Sequence, residues 1–294
     1  MSDDFIKNPG NLSQLLARSD IADLDILVDY LTDSGKGRIS LSSDVCARLV
    51  KCKERRVYSE FDRNLICQEI CAFGGNTLTN AYRDVRNSIP FGTLLDRVLP
   101  DVGANIAYDE VVKDVASHLK VAFDNKDDLL LVEDGILRKI LRDSFEKMSP
   151  EERAAVLKEL NVADLSMLKP AAGAAFIAAG RVGGFATYKL SLIVANAVSK
   201  ALLGRGLPLA VNATLSRTIG VLLGPIGWVV TGVWTLADMA SPAYRVTVPC
   251  VIQIAYMRQK AIVEVHTKAC SSCGARNERA SRFCAECGQP FQGA

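Results

Sequence analysis

The sequence predicts a mainly α-helical, multi-helix bundle ending in a small module of another kind. Three observations carry this: apolar residues return every three or four positions over most of the first half, β-branched alternation is missing, and four of the nine cysteines fall in the last 25 residues. The 294 residues are 49% hydrophobic and only 6% aromatic, which permits a substantial buried core and excludes a disordered chain or a disulfide mini-protein. The start, MSDDFIKNPGN, has no basic segment followed by an apolar one, so the expected location is the cytosol and the cysteines are expected as thiols or metal ligands.

In chain order, Gly35-Lys36-Gly37-Arg38 lacks the spacing and the following Ser or Thr of a phosphate loop and reads as a turn. Tyr58 to Phe73 reads as a helix expected to stop at Gly74-Gly75, where a glycine can close it. On this helix Cys67 and Cys71 share a face and, among Leu65, Ile66 and Ile70, read as buried thiols. Asp109, Glu110 and Asp114 read as a solvated helix face. Asp127 to Met148 spaces Leu129, Leu130, Ile136, Leu137, Ile140, Leu141 and Phe145 as an amphipathic helix. Ser149-Pro150-Glu151-Glu152 is a capping box that starts a helix from Pro150 to about Leu160.

The net charge of +2 hides a division. Residues 1–168 hold 22 basic and 29 acidic side chains, net −7, whereas residues 169–294 hold 13 and 4, net +9. Three regions are therefore expected: an acidic all-helical domain (1–168), a basic apolar helical-hairpin region (169–265) and a cysteine module (266–294). The acidic half is expected to cover the basic one, with salt weakening the docking. From Pro170 to Pro249 only 7 of 80 residues are charged, and Thr218 to Ala237 is a run of twenty without charge, long enough to cross about 30 Å of hydrocarbon as a helix. Gly220, Gly224, Pro225, Gly227 and Gly232 interrupt that run. Two readings stand for this region: buried central helices whose basic residues reach the surface, or hairpins that contact a bilayer. The second assigns Arg181, Lys189, Lys200, Arg205 and Arg217 to anionic headgroups and Trp228 and Trp234 to the membrane interface. Tyr244 to Pro249 reads as a short β-like connector bounded by Pro242 and Pro249, followed by a last helix from about Val251 to Val265.

The cysteine module is the most specific signal. Cys270-Ser271-Ser272-Cys273-Gly274 and Cys284-Ala285-Glu286-Cys287-Gly288 are two C-x2-C-G knuckles with ten residues between them. Each turn aims two thiolates at one point, and two turns make a closed shell of four sulfurs with no open position, for which zinc in a structural role is the expected metal. With Phe283 and Phe291 as the only large apolar residues of 268–291, metal binding must supply most of the folding free energy there. The segment resembles short bacterial zinc-ribbon tails, a resemblance that implies a protein-interaction adaptor. Arg276, Arg279 and Arg282 lack stacking aromatics, so nucleic acid is not the expected partner, and His266 is not expected as a ligand.

Phe73-Gly74-Gly75-Asn76 with Asn80 and Arg83, together with Ser241-Pro242-Ala243-Tyr244-Arg245-Val246-Thr247-Val248-Pro249 and the following Val251, Gln253, Ile254, Ala255 and Arg258, resemble the uncharacterised bacterial YaaW-like family. That family is grouped with the ubiquinol-cytochrome c chaperones. The resemblance covers about residues 20–260, leaves out the ribbon, and implies assistance in membrane-complex assembly. No nucleophile elbow or His-Glu-x-x-His motif is present, and the chain has two histidines, so no active site is expected. The leading expectation is a non-enzymatic, zinc-binding, membrane-associating protein of the cytoplasm and inner membrane. Its hairpins would insert or oligomerise at an anionic bilayer, as in a stress or defence effector. An assembly chaperone for membrane-protein clients and a soluble adaptor acting through the ribbon are the alternatives.

Overall fold

The computed structural model describes residues 11–38, 41–88, 106–160, 185–207 and 243–291. Among them the chain is a bundle of nine α-helices with one two-stranded antiparallel sheet at its end. The helices are α1 (Leu12–Arg18), α2 (Ile21–Thr32), α3 (Ser43–Arg55), α4 (Glu60–Ser88), α5 (Tyr108–His118), α6 (Leu129–Phe145), α7 (Pro150–Leu160), α8 (Phe185–Leu203) and α9 (Tyr244–His266). Strands β1 (Thr267–Ala269) and β2 (Arg276–Glu278) pair Thr267 with Glu278, Lys268 with Asn277 and Ala269 with Arg276. One apolar core runs through all nine helices.

Local signals place several boundaries where the sequence puts them. The box at α7 forms as read: the Ser149 amide donates to Glu152 Oε2 (2.8 Å) and the Glu152 amide to Ser149 Oγ (3.2 Å). Ser42 caps α3 and Asp128 caps α6 with single bonds, accepted from the Val45 and Leu130 amides. The stretch Asp33 to Gly37 is a tight turn, with left-handed backbone at Asp33, Ser34, Gly35 and Gly37.

Two expectations about helix ends are corrected. Helix α4 does not stop at Gly74-Gly75 but continues to Ser88. A Cβ on Gly74 would lie 2.5 Å from Val111 Cγ2, so this glycine admits α5 against α4 instead of closing a helix. Second, Tyr244 to Pro249 is no connector: α9 starts at Tyr244 and carries Pro249 in its second turn. The proline removes one helical hydrogen bond, a local cost of about 3 kcal/mol. Burial of Val246, Val248, Cys250, Val251, Ile252 and Ile254 on successive turns offsets it. Helix α6 forms with its seven predicted apolar residues buried, and Glu133, Asp134 and Arg138 are buried beside them.

Helix α9 is the axis of the bundle and touches α2, α4, α5, α6 and α8. Its polar contacts join late residues to early ones. Arg258, fully buried, grips Glu133 with two bonds, Nε to Oε2 at 2.9 Å and Nη2 to Oε1 at 3.2 Å, and Tyr108 donates to the same carboxylate at 3.0 Å. Lys260 bridges Asp20 (2.5 Å) and Asp23 (2.8 Å), and Tyr244 donates to Asp114 at 3.1 Å. Asp114 is consequently half-buried rather than on a solvated face, and burial pushes its carboxyl above the usual range.

Candidate metal centre

The four cysteines come together at the end of the chain. No residue separates β1 from α9, and the junction is tied by Thr267 Oγ1 to the Val263 carbonyl (2.5 Å) and the Arg279 amide to the His266 carbonyl (2.9 Å). The β1–β2 turn carries the first knuckle and the segment after β2 the second. Each is closed by the same pair of backbone bonds. The Cys270 amide donates to Ala275 O at 2.8 Å and the Gly274 amide to Cys270 O at 2.9 Å; the Cys284 amide donates to Gln289 O at 2.8 Å and the Gly288 amide to Cys284 O at 2.9 Å. Both glycines have φ +73°, a left-handed conformation that strains any residue with a Cβ. The C-x2-C-G spacing therefore builds two copies of one turn.

Their sulfurs meet as one cluster. Cys270 and Cys287 Sγ lie 3.6 Å apart, Cys273 and Cys284 Sγ 3.6 Å apart, and all four fall within 4.8 Å of one another. A metal about 2.3 Å from each of four sulfurs needs edges of about 3.8 Å, so the cage has the size for one ion. Amides of Cys273 and Ser272 point at Cys270 and lower its pKa, and amides of Cys287 and Glu286 draw Cys284 down to about 6. The backbone amides thus favour the thiolate, the form that binds metal, at Cys270 and Cys284, while Cys273 is pushed up by the hydrogen bonds it shares with the other sulfurs.

Asn277 is the functional residue that sequence reading missed. It is buried on β2, donates from Nδ2 to Ala275 O (2.9 Å) and Cys284 Sγ (3.4 Å), and accepts at Oδ1 from the Ala285 amide (2.7 Å). One side chain thus links both knuckles and orients a ligand sulfur from outside the cage. The only sequence signal was an amide side chain midway between them. His266 is turned away, its Nδ1 2.9 Å from the Ile262 carbonyl, and Arg276 and Arg279 are bound to Thr267 Oγ1 and Glu264 O.

The residues assigned to a membrane are more dispersed. Arg181, Arg217, Trp228 and Trp234, and the whole run Thr218 to Ala237, lie outside the described residues. Lys189 is half-buried and Lys200 exposed on α8, a helix buried along most of its length. Arg205 pairs with Asp29 of α2, which also receives Lys53. Among the described residues no helix is long and apolar enough to cross a membrane. Cys67 and Cys71 are half-buried against the core, and the neighbouring Cys71 thiol lowers Cys67 to about 7. They gather no third metal-ligating group, and the ribbon cysteines are the one such cluster among the described residues.

Comparison with known proteins bears on the helices. Residues 103–252 match the family model described as ubiquinol-cytochrome C chaperone, a stretch that contains α5 to α8 and the first nine residues of α9. The chain belongs to this family. A UPF0174 protein of Helicobacter pylori strain J99 is 45% identical over 159 residues, 54% of this chain and 63% of that protein, so the chain spans less than two thirds of that relative. A UPF0174 protein of H. pylori strain 26695 is 33% identical over 208 residues, 69% of this chain and 90% of that protein. The UPF0174 protein YaaW of Escherichia coli strain K12 is 28% identical over 234 residues, covering 78% and 85%. The family match ends before Arg258 and before the ribbon, so the four-cysteine module stands outside it. No solved structure matches the chain.

Proposed function

We propose that this chain is a non-enzymatic assembly chaperone for a membrane-protein client, with a structural zinc ribbon that docks a protein partner. The observation that carries the reading is the chaperone-family match, which spans the apolar region 170–242 together with helices on both sides of it. In this reading the sparsely charged stretch takes an apolar client segment out of contact with water. The ribbon adds a compact, exposed module whose four thiolates leave a metal no open position, which suits a structural ion and not a catalytic one.

The test mixes the full chain with a synthetic transmembrane peptide in the absence of lipid and follows light scattering. The same preparation is added to dye-loaded anionic vesicles. The chaperone reading expects the peptide to stay in solution and the vesicles to stay sealed; peptide that precipitates at the same rate with and without the chain overturns it. The uncharged run Thr218 to Ala237 favours a second reading, in which this segment inserts at the bilayer as an effector. Dye release together with resistance of the membrane-bound chain to carbonate washing is the result that reading expects.

A further inference from the structure

We propose that the corner between α3 and α4 is a docking surface for an anionic lipid membrane. The stretch Arg48 to Asp62 carries five basic and three acidic residues, a reversal of sign inside the acidic half of the chain. Helix α3 ends with Arg56 in the left-handed conformation (φ +53°), and the Val57 amide returns to the Cys52 carbonyl at 3.1 Å, so Val57 sits at the tip of a chain reversal. Val57 is 65% exposed and Phe61, one residue into α4, is 62% exposed. They are two of the three large exposed hydrophobic side chains among the described residues.

Cations surround them. The Arg48 guanidinium lies 4.5 Å above the centre of the Phe61 ring and is held there by Asp62 Oδ1 at 2.7 Å. Asp62 itself is buried and bound by Arg48 and Ser59, and Lys53 is bound to Asp29, so the cations left facing outward are Lys51, Arg55 and Arg56. Lys51 and Arg55 are exposed on α3 and make no hydrogen bond or ion pair with any described residue. Arg56, 64% exposed, stands 3.7 Å from Asp25. The exposed acids of this stretch are Glu54 and Glu60.

An aliphatic and an aromatic side chain at the tip of a turn, ringed by arginine and lysine, match the chemistry of a lipid interface. The apolar pair enters the acyl boundary while the cations meet headgroup phosphates. A nucleic acid fits less well, because Arg48 covers one face of Phe61 and Val57 has no face on which a base stacks. The inference does not rest on the client-holding reading and differs from it in location, since none of these residues lies within 103–252.

The experiment sediments the full chain with vesicles of phosphatidylcholine alone or with about one third phosphatidylglycerol, at low and high salt. Wild type is expected to bind the anionic vesicles at low salt and to lose binding on neutral ones. Replacing two surface cations in K51Q/R55Q is expected to lower the partition coefficient roughly thirtyfold. Removing the apolar pair in V57S/F61S is expected to lower it about tenfold or more while leaving the salt dependence in place. All four positions are exposed, so unchanged circular dichroism and melting are expected, and R55K should retain binding. No binding by wild type, or binding by both double variants equal to wild type, overturns the proposal. So does a preference for a single-stranded oligonucleotide over vesicles at equal phosphate concentration.

Discussion

The helical body and the ribbon reach order by opposite routes. The body buries apolar side chains from nine helices in one core and fixes its charged residues in partnered pairs, of which Glu133 with Arg258 is the deepest. In the ribbon, Cys270, Cys284 and Asn277 are the buried side chains, and Phe283 is 63% exposed. Backbone turns and sulfur geometry replace a core there. Hydrophobic burial therefore stabilises the first region, a metal held by the four sulfurs would stabilise the second, and the two should respond to different perturbations.

The largest expected effect separates them directly. A strong chelator, or C284S/C287S, should strip the metal and leave the amides of residues 267–291 unprotected from hydrogen exchange. The cooperative melt of the helices should persist, and its loss would show that the two regions depend on one another. Next comes the body's own weak point. E133L removes the carboxylate that the buried Arg258 guanidinium and Tyr108 hydroxyl share and should cost about 3–5 kcal/mol in urea unfolding. E133L/R258M, apolar on both sides, should recover most of that loss, and metal content should not change in either. G74A tests packing alone: its new Cβ meets Val111 and should cost about 1–3 kcal/mol, partly restored by V111A.

The smallest effect is a pH dependence. Burial holds His118, stacked 3.7 Å from Tyr244, below its ordinary value of 6.5. A base lowered in the folded state contributes stability that is present above 6.5 and is lost as the pH falls through the lowered value. H118Q should flatten the melting temperature between about pH 7 and pH 5 without touching the ribbon. A profile identical to wild type would assign the acid sensitivity to other groups.

Legibility followed the range of each interaction. The ribbon was readable because a C-x2-C-G turn is set by neighbouring residues, and the Ser149 box because its partners are three residues apart. The end of α4 was not, since Gly74 reads as a stop in isolation and as a contact once Val111 stands against it. The start of α9 misled for the same reason: Pro249 disfavours a helix locally, and only burial of its neighbours on five other helices reverses the balance. Asn277 carried too little local signal to be singled out.

Sequence by itself determined the helical class, the turn at Gly35 to Arg38, the cap at α7 and the two knuckles, because each rests on periodicity or on bonds within a few residues. Tertiary structure alone decided which acids go inside. Asp23, Asp25 and Asp29 of α2 and Glu133 of α6 look like ordinary surface charges along the chain, yet they are buried. The partner of Glu133 stands 125 residues away on α9, and no local pattern encodes a contact at that separation. A buried carboxylate is tolerable only beside its cation, so the fold that joins them also determines where each can lie.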